Sequence, residues 1–256
     1  MTKILKAAFL LLLTLFFSNE VTAQLLNVES IRAEADTVGW YGQLQFDFSI
    51  NQYNDRVLEF TNESNISYFS GKHAYLFLNK LKLVNLDGAS VINSGYSHAR
   101  ATFLHDHRFS PEIFLQYQYN NNLGLENRGL AGIGFKYTFY ESENWTGSFS
   151  SGVMAEYEEW KLDDQQSIEN NFIKSTNNIS MRGKISPQAT FLLVGYYQAR
   201  PAEFFKARSI LETRLQVGVT KHVSLSISFV SSYDANPVID IPKWTYELSN
   251  GILISF

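Results

Sequence analysis

Chemistry in this chain would have to start from its five histidines and the acids and serines beside them. A hydrolase needs a serine activated by a histidine, which an asparagine or an acid in turn orients. Membrane lipid hydrolases of that type place His and Ser two apart, followed by Asn, and no such run occurs here. The nearest approach is His98, directly after Ser97, and it reads as a hydrogen-bonding wall residue. His105-Asp106-His107 offers metal-ligand types, but in a polar turn these residues read as solvated. Gly132-x-Gly134 is not a phosphate loop, because no helical pattern follows it. The glycines serve better to relieve crowding and let a sheet bend. No catalytic residue, metal ligand or cofactor site is therefore expected, and the question moves to the elements that carry these residues.

Composition narrows the classes. At 45% hydrophobic and 15% aromatic residues, 256 residues suffice for an ordered fold, which excludes a disordered chain. A net charge of -4 with no basic run excludes nucleic acid as a partner class. The absence of cysteine removes disulfides, thiolate metal sites, cysteine nucleophiles and a lipid-modified cysteine together.

The N-terminus reads as a cleaved secretory signal peptide over 1–23. Lys3 and Lys6 precede the apolar run AAFLLLLTLFF, and Val21-Thr22-Ala23 supplies a small-residue cleavage site before Gln24. That run is too short to span a bilayer, which takes ~20 residues. A segment over 24–38 then leads into the fold.

From residue 39 onward the hydrophobic period is two, and helical spacing is not sustained anywhere. Strands are expected at 39–51, 57–70, 73–84, 90–104, 111–120, 126–140, 145–158, 172–184, 188–200, 205–220, 222–232 and 243–256. The count is twelve, within a range of ten to fourteen. Most have about the length that crosses a membrane when tilted, roughly 9 to 11 residues. The stretch AGIGFKYTFY shows the two faces: Ala131, Ile133, Phe135, Tyr137 and Phe139 alternate with Gly132, Gly134, Lys136, Thr138 and Tyr140. The third strand, HAYLFLNKLKLV, is apolar on both faces, so its inside and outside stay open.

Connections and aromatic residues point to a membrane. With the N-terminus on the periplasmic side, four even connections are short: SGK, ESEN, ISPQ and TKH. The stretches 159–171 and 232–242 would be long outer loops, the pattern of outer-membrane barrels. HDHRFS is the exception, longer than a tight turn yet on the short-turn side. Trp40 and Trp145 fall at periplasmic strand ends and Trp160 and Trp244 at extracellular ones, where an amphipathic ring suits a membrane interface. In WTYELSNGILISF, the residues Trp244, Tyr246, Leu248, Ile252, Ile254 and terminal Phe256 share one face, which resembles an insertion signal.

An open sheet edge in lipid would leave backbone groups unpaired at several kcal/mol each, so the sheet must close. The expected fold is all-β: a transmembrane antiparallel up-and-down β-barrel over 39–256. It would sit in the outer membrane of a Gram-negative bacterium. Its partners would be outer-membrane lipids and lipopolysaccharide, with the barrel-assembly machinery during insertion.

The residues also resemble a known family. In FLQYQYNNNLGLENRGLAGIGFKY, Phe114 and Gln116 match an aromatic-x-Gln pattern, and Arg128, Leu130, Gly132 and Gly134 match Arg-x-Leu-x-Gly-x-Gly. Gly39-Trp40-Tyr41-Gly42, Met154-Ala155-Glu156 and the Tyr233-to-Pro237 loop add shorter matches. This is similar to the salt-induced outer-membrane protein family, domain of unknown function 481. Lys136 stands where that family carries arginine, and Pro237 is single where a proline pair is common. The resemblance implies an outer-membrane barrel of unestablished activity and assigns no catalytic residue.

Two function classes follow, a narrow, weakly selective pore and a non-conducting envelope protein acting through its outer loops. A lipid-modifying hydrolase is a distant third. Inward positions mix both signs, from Asp47, Glu59 and Glu63 through Arg128, Lys136 and Glu156 to Arg208, Glu212 and Arg214. A strongly selective channel would show rings of one sign. Turns centred near 142 and 165 would bring Arg128 opposite Glu156 and Lys174 beside it, with Gln118 next to Arg128. A lumen cluster of Gln118, Arg128, Glu156 and Lys174 near the extracellular mouth is therefore expected.

Overall fold

The structure, a computed structural model, describes residues 38–52, 56–86, 89–121, 124–163, 166–238 and 242–256. The signal peptide and the segment after it lie outside the described residues, Val38 apart. Period-two alternation forms twelve strands in one closed, antiparallel, up-and-down barrel, each strand pairing with its sequence neighbours and β1 with β12. They are β1 (Gly39–Gln52), β2 (Arg56–Phe69), β3 (His73–Leu86), β4 (Ala89–Phe103), β5 (Phe109–Asn120) and β6 (Leu125–Glu141). The second half comprises β7 (Trp145–Asp163), β8 (Gln166–Ser186), β9 (Ala189–Ala199), β10 (Arg208–Gly218), β11 (Val223–Asp234) and β12 (Trp244–Ser255). No helix among the described residues is long and apolar enough to cross a membrane.

Both described ends of the chain lie at one end of the barrel, with the tight turns. Gly71, at φ 87°, makes the first of them possible. The longer connection after β4 is held from within: His107 N–H donates to the Leu104 carbonyl at 2.9 Å, and Ser110 Oγ donates to the same carbonyl at 2.9 Å. At the opposite end, residues 159–171 are not a loop. β7 runs to Asp163 and β8 begins at Gln166, so the pair projects as a hairpin past β9, whose pairing with β8 stops at Ser175↔Ala199. Its outward face is polar, with Glu159, Lys161, Glu169 and Asn171, because it stands clear of the apolar belt, while Trp160 and Ile168 pair on the inward face, so the ladder continues without an apolar outer stripe. The connection after β9 is longer than expected, since Pro201 opens a 3-10 turn (Pro201–Glu203) and β10 starts only at Arg208.

The two faces sort as chemistry requires. Ile133, Tyr137 and Phe139 are exposed on the outside, in a continuous apolar belt with Leu115, Ile173, Ile227 and Ile252. The third strand is now oriented: Tyr75, Phe77 and Leu81 point out, while buried Ala74 and Leu78 share the inner face with Lys80 and Lys82. Leu78 packs on Tyr96 inside, and Leu192, Val194, Tyr196 and Ile210 form a second inner cluster.

The Gly132-x-Gly134 signature has a packing reason. The Phe114 ring fills the space a side chain at position 132 would need. Gly134 faces Gly152 across the β6–β7 ladder, and a Cβ on Gly134 would lie 2.5 Å from the Ser151 carbonyl oxygen and 3.0 Å from the Gly152 Cα. Gly134→Val is therefore expected to destabilise the barrel by about 1–3 kcal/mol through overpacking. A lower temperature for loss of the fast-migrating unboiled band would register it.

Candidate functional site

The alternation of β6, β7 and β8 turns Arg128, Glu156 and Lys174 inward, and the register brings them together diagonally. Arg128 stands opposite Glu158, and Lys174 opposite Met154. Each reaches one rung along to Glu156. Arg128 donates from Nε to Glu156 Oε1 at 2.7 Å, and its Nη2 lies 2.7 Å from the same oxygen. Lys174 Nζ sits 2.6 Å from Glu156 Oε2. Gln118 stands opposite Arg128 on β5, buried, and accepts a hydrogen bond from Gln116 Nε2 at 2.9 Å.

Arg208 on β10 enlarges this group. Its Nη1 donates to Glu156 Oε1 at 3.0 Å and to Glu158 Oε2 at 3.1 Å, while its Nε donates to Asp234 Oδ2 at 2.7 Å. β7 and β10 do not pair with each other, so this side chain reaches past β9 and β8 along the inside of the barrel. Glu156 is 3% exposed and Glu158 is fully buried. Three cations and three carboxylates thus interlock near the long-loop end. Above them, Lys174 Nζ and the Arg200 guanidinium lie 4.9 and 4.8 Å from the centre of the Phe172 ring.

Trp160 belongs to this interior. It shares the inward parity of Glu156 and Glu158 and is only 3% exposed, beside buried Leu125. The expectation of an interface position for Trp160 is corrected, because tryptophan at a strand end serves either face and the register decides which. Trp40 and Trp244 stand on the outer surface at opposite ends, against Tyr68 and Tyr233. Trp145 lies half-buried over Gly183 at the tight-turn end. On β12 the residues Tyr246, Leu248, Ile252, Ile254 and Phe256 line the outer face.

A second charged group occupies the inner wall between β10 and the first strands. Arg214 reaches Gln45 at 3.2 Å, Glu212 at 3.2 Å and Glu63 at 3.7 Å, and Lys80 lies 3.5 Å from Glu63. On β4, Ser97 and His98 face opposite ways. Ser97 Oγ donates to Asn79 Oδ1 at 2.9 Å on the outer side, whereas buried His98 hydrogen-bonds Gln116 through Nδ1 at 3.1 Å. That pair cannot act on one substrate. At the tight-turn end the His105 ring packs on Phe69, while Asp106 and His107 are exposed.

Two small cavities lie along the inner wall. One cavity of about 40 Å³ is bordered by His98, Gln116, Asn178 and Gln198, and one of about 50 Å³ by Glu158, Lys174, Arg208 and Asp234. A water takes roughly 30 Å³, so each accommodates one or two waters. What this arrangement can do chemically is to hold or release ion pairs across a polar lumen.

Comparison with known proteins fits the architecture. An outer membrane channel from Pseudomonas putida F1 is 13% identical, with a TM-score of 0.52 over 87% of this chain and 97% of that one. The NanC porin is 11% identical, with a TM-score of 0.48 over 84% of this chain and 98% of that one. The translocator domain of autotransporter NalP from Neisseria meningitidis is 9% identical, with a TM-score of 0.49 over 89% and 91%. No curated protein matches the chain. The fold is that of outer-membrane β-barrels, and residues 44–256 match the family described as "Protein of unknown function, DUF481". With that match covering most of its length, the chain belongs to the DUF481 family.

Proposed function

We propose that this protein is a narrow, weakly selective pore of the Gram-negative outer membrane, closed in the conformation described. Its tight turns face the periplasm and its projecting β7–β8 hairpin faces out, among outer-membrane lipids and lipopolysaccharide. The barrel-assembly machinery reads the outer stripe of β12 during insertion.

The observation that carries the reading is Arg208, which reaches inside the barrel from β10 past two strands to Glu156 and Glu158 on β7. Burying ion pairs brings little or no net stability compared with apolar packing of the same volume. A barrel that served only as a rigid scaffold would gain nothing by filling itself with breakable charge pairs. A pore that opens would. Mixed signs along the wall favour small polar solutes over strong ion selectivity.

The test is conductance in planar bilayers. Wild-type protein is expected to show brief, low-conductance openings, and Arg208→Ala, which removes this side chain, longer openings and several-fold higher mean current. Silence from both proteins, each folded by its heat-modifiable gel mobility, would favour the non-conducting reading in which the outer hairpin and loops act alone.

A further inference from the structure

The outer wall carries polar groups in the middle of its apolar belt. On β2, β3 and β4 the outward residues include Asn62, Ser64, Asn79 and Ser97, with Ser64↔Asn79 and Asn79↔Ser97 side by side across the ladders. Trp40, Tyr68 and Tyr75 mark the aromatic girdle of the tight-turn end, with ring centres 4.8 and 6.3 Å apart, and Asn79 stands four residues further along β3 than Tyr75. At about 3.3 Å per residue and a tilt near 40°, that is roughly 10 Å into a belt about 25 Å tall. Phe77 and Leu81 flank Asn79 on the same face, 49% and 40% exposed.

Polar side chains on a membrane-facing wall are costly unless something polar meets them. Their neighbours satisfy this group only in part. Ser97 Oγ donates to Asn79 Oδ1 at 2.9 Å, whereas Ser64 Oγ and Asn62 Nδ2 reach only backbone carbonyls, each at 3.5 Å. Among the described residues Asn79 Nδ2 has no acceptor, and its Oδ1 keeps a second lone pair. Hydrocarbon tails offer neither donor nor acceptor. A fitting partner presents both, at the same depth in the membrane. A second copy of this chain meets that condition by itself, because every copy inserts in one orientation and carries Asn79 at one height.

The shape of the surrounding wall is self-complementary too. Two residues nearer the tight turns, Ile66 and Phe77 stand side by side on β2 and β3, both 49% exposed. Beside them, across β4 to β7, the wall sinks into a hollow of about 910 Å³ floored by Ala99, Ala131 and Ala155. A two-fold axis between ridge and hollow sets each ridge into the other copy's hollow, which is the condition for an isologous interface.

We propose that the β2–β4 face is an intramembrane interface between two copies of this chain, in which Asn79 pairs with the partner's Asn79 about a two-fold axis along the membrane normal. Each amide donates one N–H to the other's Oδ1, and Ser97 orients the amide that it bonds. A second outward pair, in which Ser151 Oγ donates to Asn177 Oδ1 at 2.8 Å, lies four strands away on β7 and β8. A head-to-tail contact between the two pairs would need both at one depth, which only self-pairing guarantees.

The chain lacks cysteine, so this face can be cross-linked at chosen positions. In phosphatidylcholine vesicles at large lipid excess, a short bismaleimide is expected to link L81C into dimers with a several-fold higher yield than L211C, an outward position on β10. Adding N79L to L81C is expected to lower the yield to that of L211C. Heat-modifiable mobility should be kept, since leucine suits a lipid-facing position. Equal yields from L81C and L211C would mark random collision and overturn the interface, as would L81C that stays monomeric with lipid alone against its wall. A yield that N79L leaves unchanged would overturn the amide pairing. Dimers formed only when L81C is mixed with I179C, beside Asn177, would overturn the two-fold arrangement. None of these readouts depends on conductance, so this inference and the pore reading fail separately.

Discussion

Glu156→Ala is expected to be the most damaging single substitution in the lumen, lowering stability by about 3–5 kcal/mol, the scale for stranding a buried charge. The reason is the number of cations that share this carboxylate: Arg128, Lys174 and Arg208 all lie within 3.0 Å of its oxygens. Removing it leaves three positive groups facing one another. At roughly 2–4 °C per kcal/mol for a chain of this size, the unboiled band should convert to the unfolded one roughly 6–20 °C lower. Arg128→Ala alone should cost less, because Lys174 and Arg208 still neutralise Glu156. The Arg128→Ala/Glu156→Ala pair should be milder than the sum of the two, since the second change removes the charge that the first left short of a partner. Strict additivity, or effects within the ~0.2–1 kcal/mol of an exposed ion pair, would show that water reaches the cluster and screens it.

The second large effect is expected at the barrel seam. Deleting Phe256 removes two backbone hydrogen bonds with Gly42, one of 2.8 Å donated by Gly42 and one of 2.9 Å donated by Phe256. It also removes the ring that covers Gly42, where an added Cβ would have no room. Among the described residues the β1–β12 ladder is the shortest, so it has least to lose. The deletion is expected to abolish most heat-modifiable protein in the membrane fraction. Gly42→Leu separates two causes, because it leaves the terminal aromatic in the sequence but displaces its ring. If Phe256 acts only as an insertion signal, Gly42→Leu should assemble in normal amount with normal heat resistance. If seam closure matters as well, Gly42→Leu should assemble with a clearly lower conversion temperature.

How far the sequence alone reached is visible in the same elements. Period-two alternation is local, each residue's face following from its neighbours, and so the twelve strands, the apolar belt and the inward turn of Arg128, Glu156 and Lys174 were legible. The cluster was expected with Arg128 directly opposite Glu156, whereas the register is displaced by two residues. The turn pairs Glu141 with Thr146, which alone would displace the register by three, and the bulge between Thr138 and Tyr140 takes one residue back. A displacement of two preserves parity, which is why these side chains still meet, and a displacement of one would have turned them into lipid. Trp160 shows the limit of composition, since a ring suited to an interface fills the lumen equally well. The 159–171 stretch shows the limit of the outward apolar stripe as a signal, since beyond the apolar belt a strand's outer face is polar. Arg208 meeting Glu156 and the orientation of the doubly apolar β3 were decided only by the closed barrel. They join residues far apart in the chain through the lumen, and distances of that kind are set by strand number, tilt and ladder length together, which no local periodicity encodes.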